Sequence, residues 1–218
     1  MTTSNNLGNE LYLLSGLGAD RRIFDFLDLH GFKLIHIDWI KPEKDETIES
    51  YARRLLEQIR TSRPTMIGVS FGGIIAIEIA KQIDTDKLIL ISSAKTKADI
   101  PLRYRLAGGF WMNKLIPAPL YRKANVVVYW LFGVKNKKEK ELLKTILDDA
   151  DNDFVDWATN SIVNWNNEIL LPNVITIHGT ADRLIPFNKA DHKIDHGGHL
   201  MVVSKAKEVS RILRNILG

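Results

Sequence analysis

Five short runs of almost unbroken apolar residues constrain this chain most: ELYLLS at 10–15, KLIHID at 33–38, TMIGVS at 65–70, KLILIS at 87–92 and NVITIH at 173–178. Alternating polar and apolar residues would mark strands with one wet face. Near-continuous Leu, Ile and Val mark strands buried on both faces, as in a parallel sheet covered by helices. Helical patterns fill the gaps. Asp20 is placed to cap a helix turning Ile23, Phe24 and Leu27 inward, and Thr47 to cap one presenting Ile48, Tyr51, Leu55 and Ile59. FGGIIAIEIAKQI after Ser70 reads as a helix apolar on nearly every side. Strand, helix, strand, helix predicts a doubly wound α/β domain.

After Ser93 the rhythm stops for about eighty residues. Leu142, Leu143, Ile146 and Leu147 form one helical stripe, and Phe154, Trp157, Ala158, Ile162 and Trp165 form another, capped near Asp151–Asp153. The sheet then resumes with NVITIH, a weaker strand near DHKID and a closing helix, KAKEVSRILRNIL. The chain thus divides into a core, residues 1–94 and 169–218, and a helical insertion, residues 95–168. A length of 218 residues is enough for one large core.

Several classes of chemistry fall away. The chain has no cysteine, which excludes disulfides, thiolate metal sites and cysteine nucleophiles. Its longest apolar stretch, VVVYWLFGV, is too short to span a bilayer. No basic segment followed by an apolar one opens the sequence, so a cytoplasmic location is expected. Charge is uneven: Ser93–Lys140 holds 11 Lys and Arg against 2 acids, within a net charge of +4. Such an island is a solvated helical face, a surface for an acidic partner, or a source of potential that draws an anionic substrate. No nucleic-acid motif accompanies it, so nucleic acid is not an expected partner.

The chemistry gathers at GVSFG, residues 68–72, between an apolar strand and an apolar helix. Two glycines flanking one serine permit a turn so tight that the serine hydroxyl is displayed. A serine hydroxyl needs a base to take its proton as it attacks. His199, in HGGHLMV, is the best-placed candidate and His196 its rival; HGGH also has the spacing of an H-x-x-H metal pair, but lies on a loop. The base needs an anion to fix its tautomer. Asp182 follows the NVITIH strand directly, with Asp195 and Asp156 as weaker alternatives. Chain order is therefore Ser70, Asp182, His199: nucleophile, acid, base.

GVSFGG, HGTADRLIP and GGHLMV, in this order and each after a strand, resemble the nucleophile elbow, acid loop and histidine loop of the α/β-hydrolase superfamily. LSGLGADRRIF resembles that family's oxyanion loop, and the likeness spans residues 11–96 and 172–218. The resemblance is to small, cap-bearing, esterase-like members. It implies a sheet trimmed to about six mostly parallel strands, because the two usual leading strands are missing. It also implies a helical cap over a crevice between Leu17 and Ser70, and an oxyanion hole from the backbone N–H groups of Leu17 and Phe71. Ser15-Gly16 stands where many members have His-Gly, so the ordering of that loop must come from elsewhere.

The expectation is a serine hydrolase acting on a carboxylic ester or thioester through an acyl-enzyme, with no organic or metal cofactor. Its substrate is a small molecule, and the basic island admits an anionic one. The alternatives are an amide or carbon–carbon bond hydrolase with the same triad, and a binder that holds a ligand without turnover. Trp111, Trp130, Trp157 and Trp165 are assigned to core or cap packing, with the wall of an apolar pocket as their other use. His178 is assigned to the strand end as a hydrogen-bonded residue.

Overall fold

A computed structural model describes residues 9–104 and 124–218. Trp111 and part of the basic island lie outside the described residues. The strands form where the apolar runs predict: β1 (Glu10–Leu14), β2 (Lys33–His36), β3 (Thr65–Val69), β4 (Leu88–Ile91), β5 (Val174–Gly179) and β6 (His192–Ile194). They make one six-stranded sheet in the order β2-β1-β3-β4-β5-β6, with every pairing parallel. β1 thus lies between β2 and β3. The chain reverses its direction of travel across the sheet there, which opens a crevice at the carboxyl ends of β1 and β3.

Burial on both faces explains the unbroken apolar runs. On one face, Leu11, Leu13, Ile67, Val69, Ile89, Ile91 and Ile177 join a core cluster with the C-terminal helices. On the other, Tyr12, Leu14, Met66, Leu88 and Leu90 pack with α1 (Ile48–Leu55) and α2 (Phe71–Ala80). Thr47 caps α1 by accepting a hydrogen bond from the Ser50 N–H. α2 is buried over almost its whole length, Phe71 to Ile79, as its composition requires.

Between β4 and β5 the chain builds a helical cap. α3 (Val126–Phe132) starts at Asn125, whose side chain accepts from the N–H groups of Val127 and Val128. α4 (Lys137–Asp149) opens with a reciprocal Asn136–Glu139 capping box, and α5 (Asn152–Asn164) with Asp151 accepting from Asp153 and Phe154. After β6 come α6 (Met201–Ser204) and α7 (Ala206–Leu217). Among the described residues no helix is long and apolar enough to cross a membrane.

Two helices are shorter than expected: α1 gives way at Leu55 to a 3₁₀ turn, Leu56–Gln58, before Ile59, and the helix capped by Asp20 barely forms. Asp20 does cap, but only a 3₁₀ turn, Arg21–Ile23. Beyond it Phe24, Leu27 and Phe32 bond to carbonyls three residues back, not four. Ile23, Phe24 and Leu29 must all be buried within this short connection to β2. Successive tight turns achieve that where one straight helix would not.

Candidate active site

β3 ends and α2 begins at a single residue, Ser70, at φ 52° and ψ −121°. A non-glycine residue there costs of order 1–3 kcal/mol, so its neighbours must enforce it. They do so by close approach. A Cβ on Gly68 would lie 2.5 Å from the Gly73 Cα, and one on Gly72 would strike the carbonyl oxygens of Leu14 and Ser15. Only glycine lets strand, helix and the loop after β1 meet at this distance. The Ser70 carbonyl accepts from the Gly73 N–H at 2.9 Å and from the Ser93 hydroxyl at 2.6 Å, anchoring the strained residue to the end of β4.

The predicted partners converge on Ser70. His199 Nε2 is 2.8 Å from Ser70 Oγ, and His199 Nδ1 is 2.8 Å from Asp182 Oδ2. A carboxylate has no proton to offer, so Nδ1–H donates to it, and in that tautomer Nε2 presents its lone pair to the serine. Asp182 Oδ1 accepts from the N–H groups of Leu184 and Ile185, each at 3.0 Å. Burial alone pushes the Asp182 carboxyl up. The His199 imidazole and its hydrogen bond, with the His178 imidazole beside them, outweigh it and hold the acid well below the usual carboxylate range. Asp182 is therefore ionised and fully engaged.

The rival residues lie elsewhere. His196 is exposed, at φ 58°, and its N–H donates to Thr180 Oγ1. Asp195 is exposed and pairs with Lys193 at 3.6 Å, while Asp156 sits on α5. No group of three His, Asp or Glu among the described residues is arranged to hold a metal ion.

Ser15 takes over the ordering left open by the missing histidine. It is buried, and its hydroxyl donates to the Ala19 carbonyl at 2.7 Å, which also accepts from Trp39 Nε1 at 3.2 Å. The Ala19 N–H in turn donates to the Gly16 carbonyl at 3.0 Å. The loop carrying Leu17 is closed on itself by a serine.

A cavity of about 260 Å³ opens above Ser70 and His199. Leu17 and Phe71 border it beside the serine, and its walls come from Ile74, Leu131, Phe132, Leu143, Ile146, Val155, Ile162 and Leu184. No Lys, Arg, Asp or Glu is among its described lining residues. Three described bases of the island point elsewhere, Lys97 to Glu168, Lys137 to Glu141 and Lys140 over the Tyr129 ring, while Arg103 lies over the ring of Tyr104, which lines the cavity. The described tryptophans do not line it. Trp157 packs on Tyr51 at 4.3 Å, buried Trp165 donates to Glu78, and half-exposed Trp130 stacks under Arg183.

Sequence reasoning missed three supports. Ser93 holds the elbow carbonyl, His178 reaches Asp182, and α3 docks on the histidine loop through the Leu200 N–H to Phe132 carbonyl bond at 3.0 Å. The spacing of His178 four residues before Asp182 is the one available signal; the other two are tertiary contacts with no local pattern.

No family model matches the sequence, and neither does any curated protein. Solved structures do. An esterase from Exiguobacterium antarcticum superposes with a TM-score of 0.72 at 15% identity, covering 96% of this chain and 91% of that one. An N-acyl homoserine lactone degrading enzyme gives 0.69 at 18%, covering 94% and 92%. The 2-hydroxy-6-oxo-6-phenylhexa-2,4-dienoate hydrolase of Rhodococcus sp. strain RHA1 gives 0.65 at 18%, covering 94% and 89%. Near-complete coverage at such low identity is a likeness of architecture. Six-stranded sheet, serine at the sharp turn, helical cap and structural neighbours agree: the chain has the α/β-hydrolase fold.

Proposed function

We propose that this protein is a serine hydrolase that cleaves a carboxylic ester or thioester of a neutral, apolar acyl compound. One observation carries the reading: an unbroken Ser70–His199–Asp182 hydrogen-bonded chain at the floor of an apolar cavity. Ser70 Oγ attacks the carbonyl carbon as His199 Nε2 takes its proton. Asp182 stabilises the imidazolium, which then protonates the leaving alcohol or thiol. The N–H groups of Leu17 and Phe71 receive the oxyanion; that of Phe71 belongs to the first turn of α2, where the helix offers no internal acceptor. Water, deprotonated by His199, then attacks the acyl-enzyme and releases the acid.

The described part of the wall carries no charge, which favours a neutral acyl group over an anionic one. A fluorophosphonate probe is expected to label the wild type and not Ser70→Ala. With p-nitrophenyl esters, kcat/KM is expected to rise about four-fold per added methylene, the worth of burying one such group, until the cavity is filled. A folded wild type that neither labels nor turns over any ester of the series overturns the reading. Anionic esters outpacing neutral ones of equal length at low salt would restore the anionic substrate.

A further inference from the structure

The carboxylate that orients His199 carries a second imidazole, which the reaction as described does not use. His178 lies in β5, four residues before Asp182, with its side chain 9% exposed. Its Nε2 is 2.7 Å from the Ile185 carbonyl oxygen and 3.3 Å from Asp182 Oδ2, the oxygen that His199 Nδ1 reaches at 2.8 Å. A carbonyl oxygen has no proton to give, so Nε2 keeps its hydrogen whether His178 is neutral or charged. That hydrogen is directed to the carbonyl, and the carboxylate oxygen at 3.3 Å is the charge that stands beside it. Asp182 Oδ1 is held by two backbone N–H groups and Oδ2 by His199, and the His178 N–H dipole lies against that second oxygen.

Resting on the hydrolase reading, we propose that His178 is a positioning residue. Its Nε2–H dipole steadies the Asp182 carboxylate and offsets part of its negative charge, limiting how strongly that acid favours the imidazolium form of His199. The other groups around His178 stand farther out: Asp99, after β4, acts on it through space, and Lys95 and Lys189 border the small cleft beside it. The Phe187 ring is 6.1 Å away. His199 faces Asp182, Ser70 and the edge of Phe132. Burial pushes His178 toward neutrality, yet the Asp182 carboxylate beside it prevails and raises its affinity for a proton.

Two amides separate the donor from its ring. Gln places an N–H near the Nε2 position, and Asn places one near Nδ1, at similar polarity. Fluorophosphonate labelling of wild type, with Ser70→Ala as blank, first decides the hydrolase reading by itself. In His178→Asn the acidic limb of the kcat/KM profile is expected to move up by about one pH unit, with kcat falling and KM little changed. His178→Gln is expected to keep the wild-type limb. A His178→Asn profile that superimposes on wild type, or an equal displacement in His178→Gln, overturns the proposal. Imidazole ¹⁵N NMR tests it on the wild type, without any variant: His178 is expected as the Nε2–H tautomer, and an Nδ1–H tautomer overturns it.

Discussion

A carboxylate with three donors on its two oxygens and a second imidazole 3.3 Å away is an acid-sensitive joint, and Asp182 is the residue where catalysis and stability meet. Its carboxyl is held low in the folded protein. The stabilisation it provides is therefore complete above about pH 4, the unfolded carboxyl's range, and is lost as pH falls below that. Asp182→Asn removes the ionisation. Its melting temperature is expected to fall less between pH 5 and pH 3 than the wild type's, measured by calorimetry, while kcat/KM at neutral pH drops roughly 10⁴-fold through the wrong His199 tautomer. Ser93 supports the nucleophile in the same way. Ser93→Ala deletes the hydroxyl bond to the Ser70 carbonyl, worth about 1 kcal/mol, and is expected to cost about five-fold in kcat with KM unchanged. An unaltered kcat would show that the glycines alone hold the turn.

At the scale of elements, α3 is more than a cover. Its last carbonyls accept from the Leu200 N–H and from Arg183 Nη1, at 3.0 and 2.9 Å, while Phe132 sets its edge toward the His199 ring at 5.6 Å between centroids. Gly133, at φ 71°, ends the helix against Gly198. A Cβ on Gly198 would lie 2.9 Å from the Gly133 Cα, and nothing about the backbone at Gly198 forbids alanine otherwise. Gly198→Ala must therefore part α3 from the loop that carries His199. It is expected to cost about 10- to 100-fold in kcat/KM, and fluorophosphonate labelling of Ser70 should slow in parallel. Full activity would mean that α3 only roofs the cavity. This joint is also where the sequence is least informative. β1, β3, β4 and β5 are legible because burial on both faces leaves almost no polar residue in them, and the elbow because Gly68, Ser70 and Gly72 have no cheaper use. Gly133 and Gly198 are each an ordinary glycine until the two segments are brought together. The turn after Asp20 departs from its sequence pattern for a related reason: Ile23, Phe24 and Leu27 fit one helical turn, and only the demand to bury Leu29 as well breaks it into 3₁₀ pieces.

Across the whole molecule, the question is whether cap and core are one cooperative unit. α5 enters the core from the cap side. Phe154 is 6% exposed and meets Trp39, Tyr51, Phe71 and Trp157 at ring separations of 5.4–6.2 Å. Phe71 is also the residue beside the nucleophile, so one aromatic cluster spans α1, α2 and α5. Trp157 Nε1 donates to the Glu46 carbonyl at 2.9 Å, and Trp165, just beyond α5, donates to buried Glu78 of α2 at 2.8 Å. Contacts of this kind tie the insertion to both helices on one face of the sheet. Deleting a buried phenylalanine ring costs about 3–5 kcal/mol, and at this chain length each kcal/mol moves the melting temperature by about 2–4 °C. Phe154→Ala is therefore expected to melt roughly 10 °C or more below the wild type. If the units are one, the calorimetric and van't Hoff enthalpies of the variant stay equal and far-UV circular dichroism follows the same curve. Two resolved transitions, the earlier accompanied by loss of esterase activity, would instead make the cap a separately melting unit whose order the core only borrows.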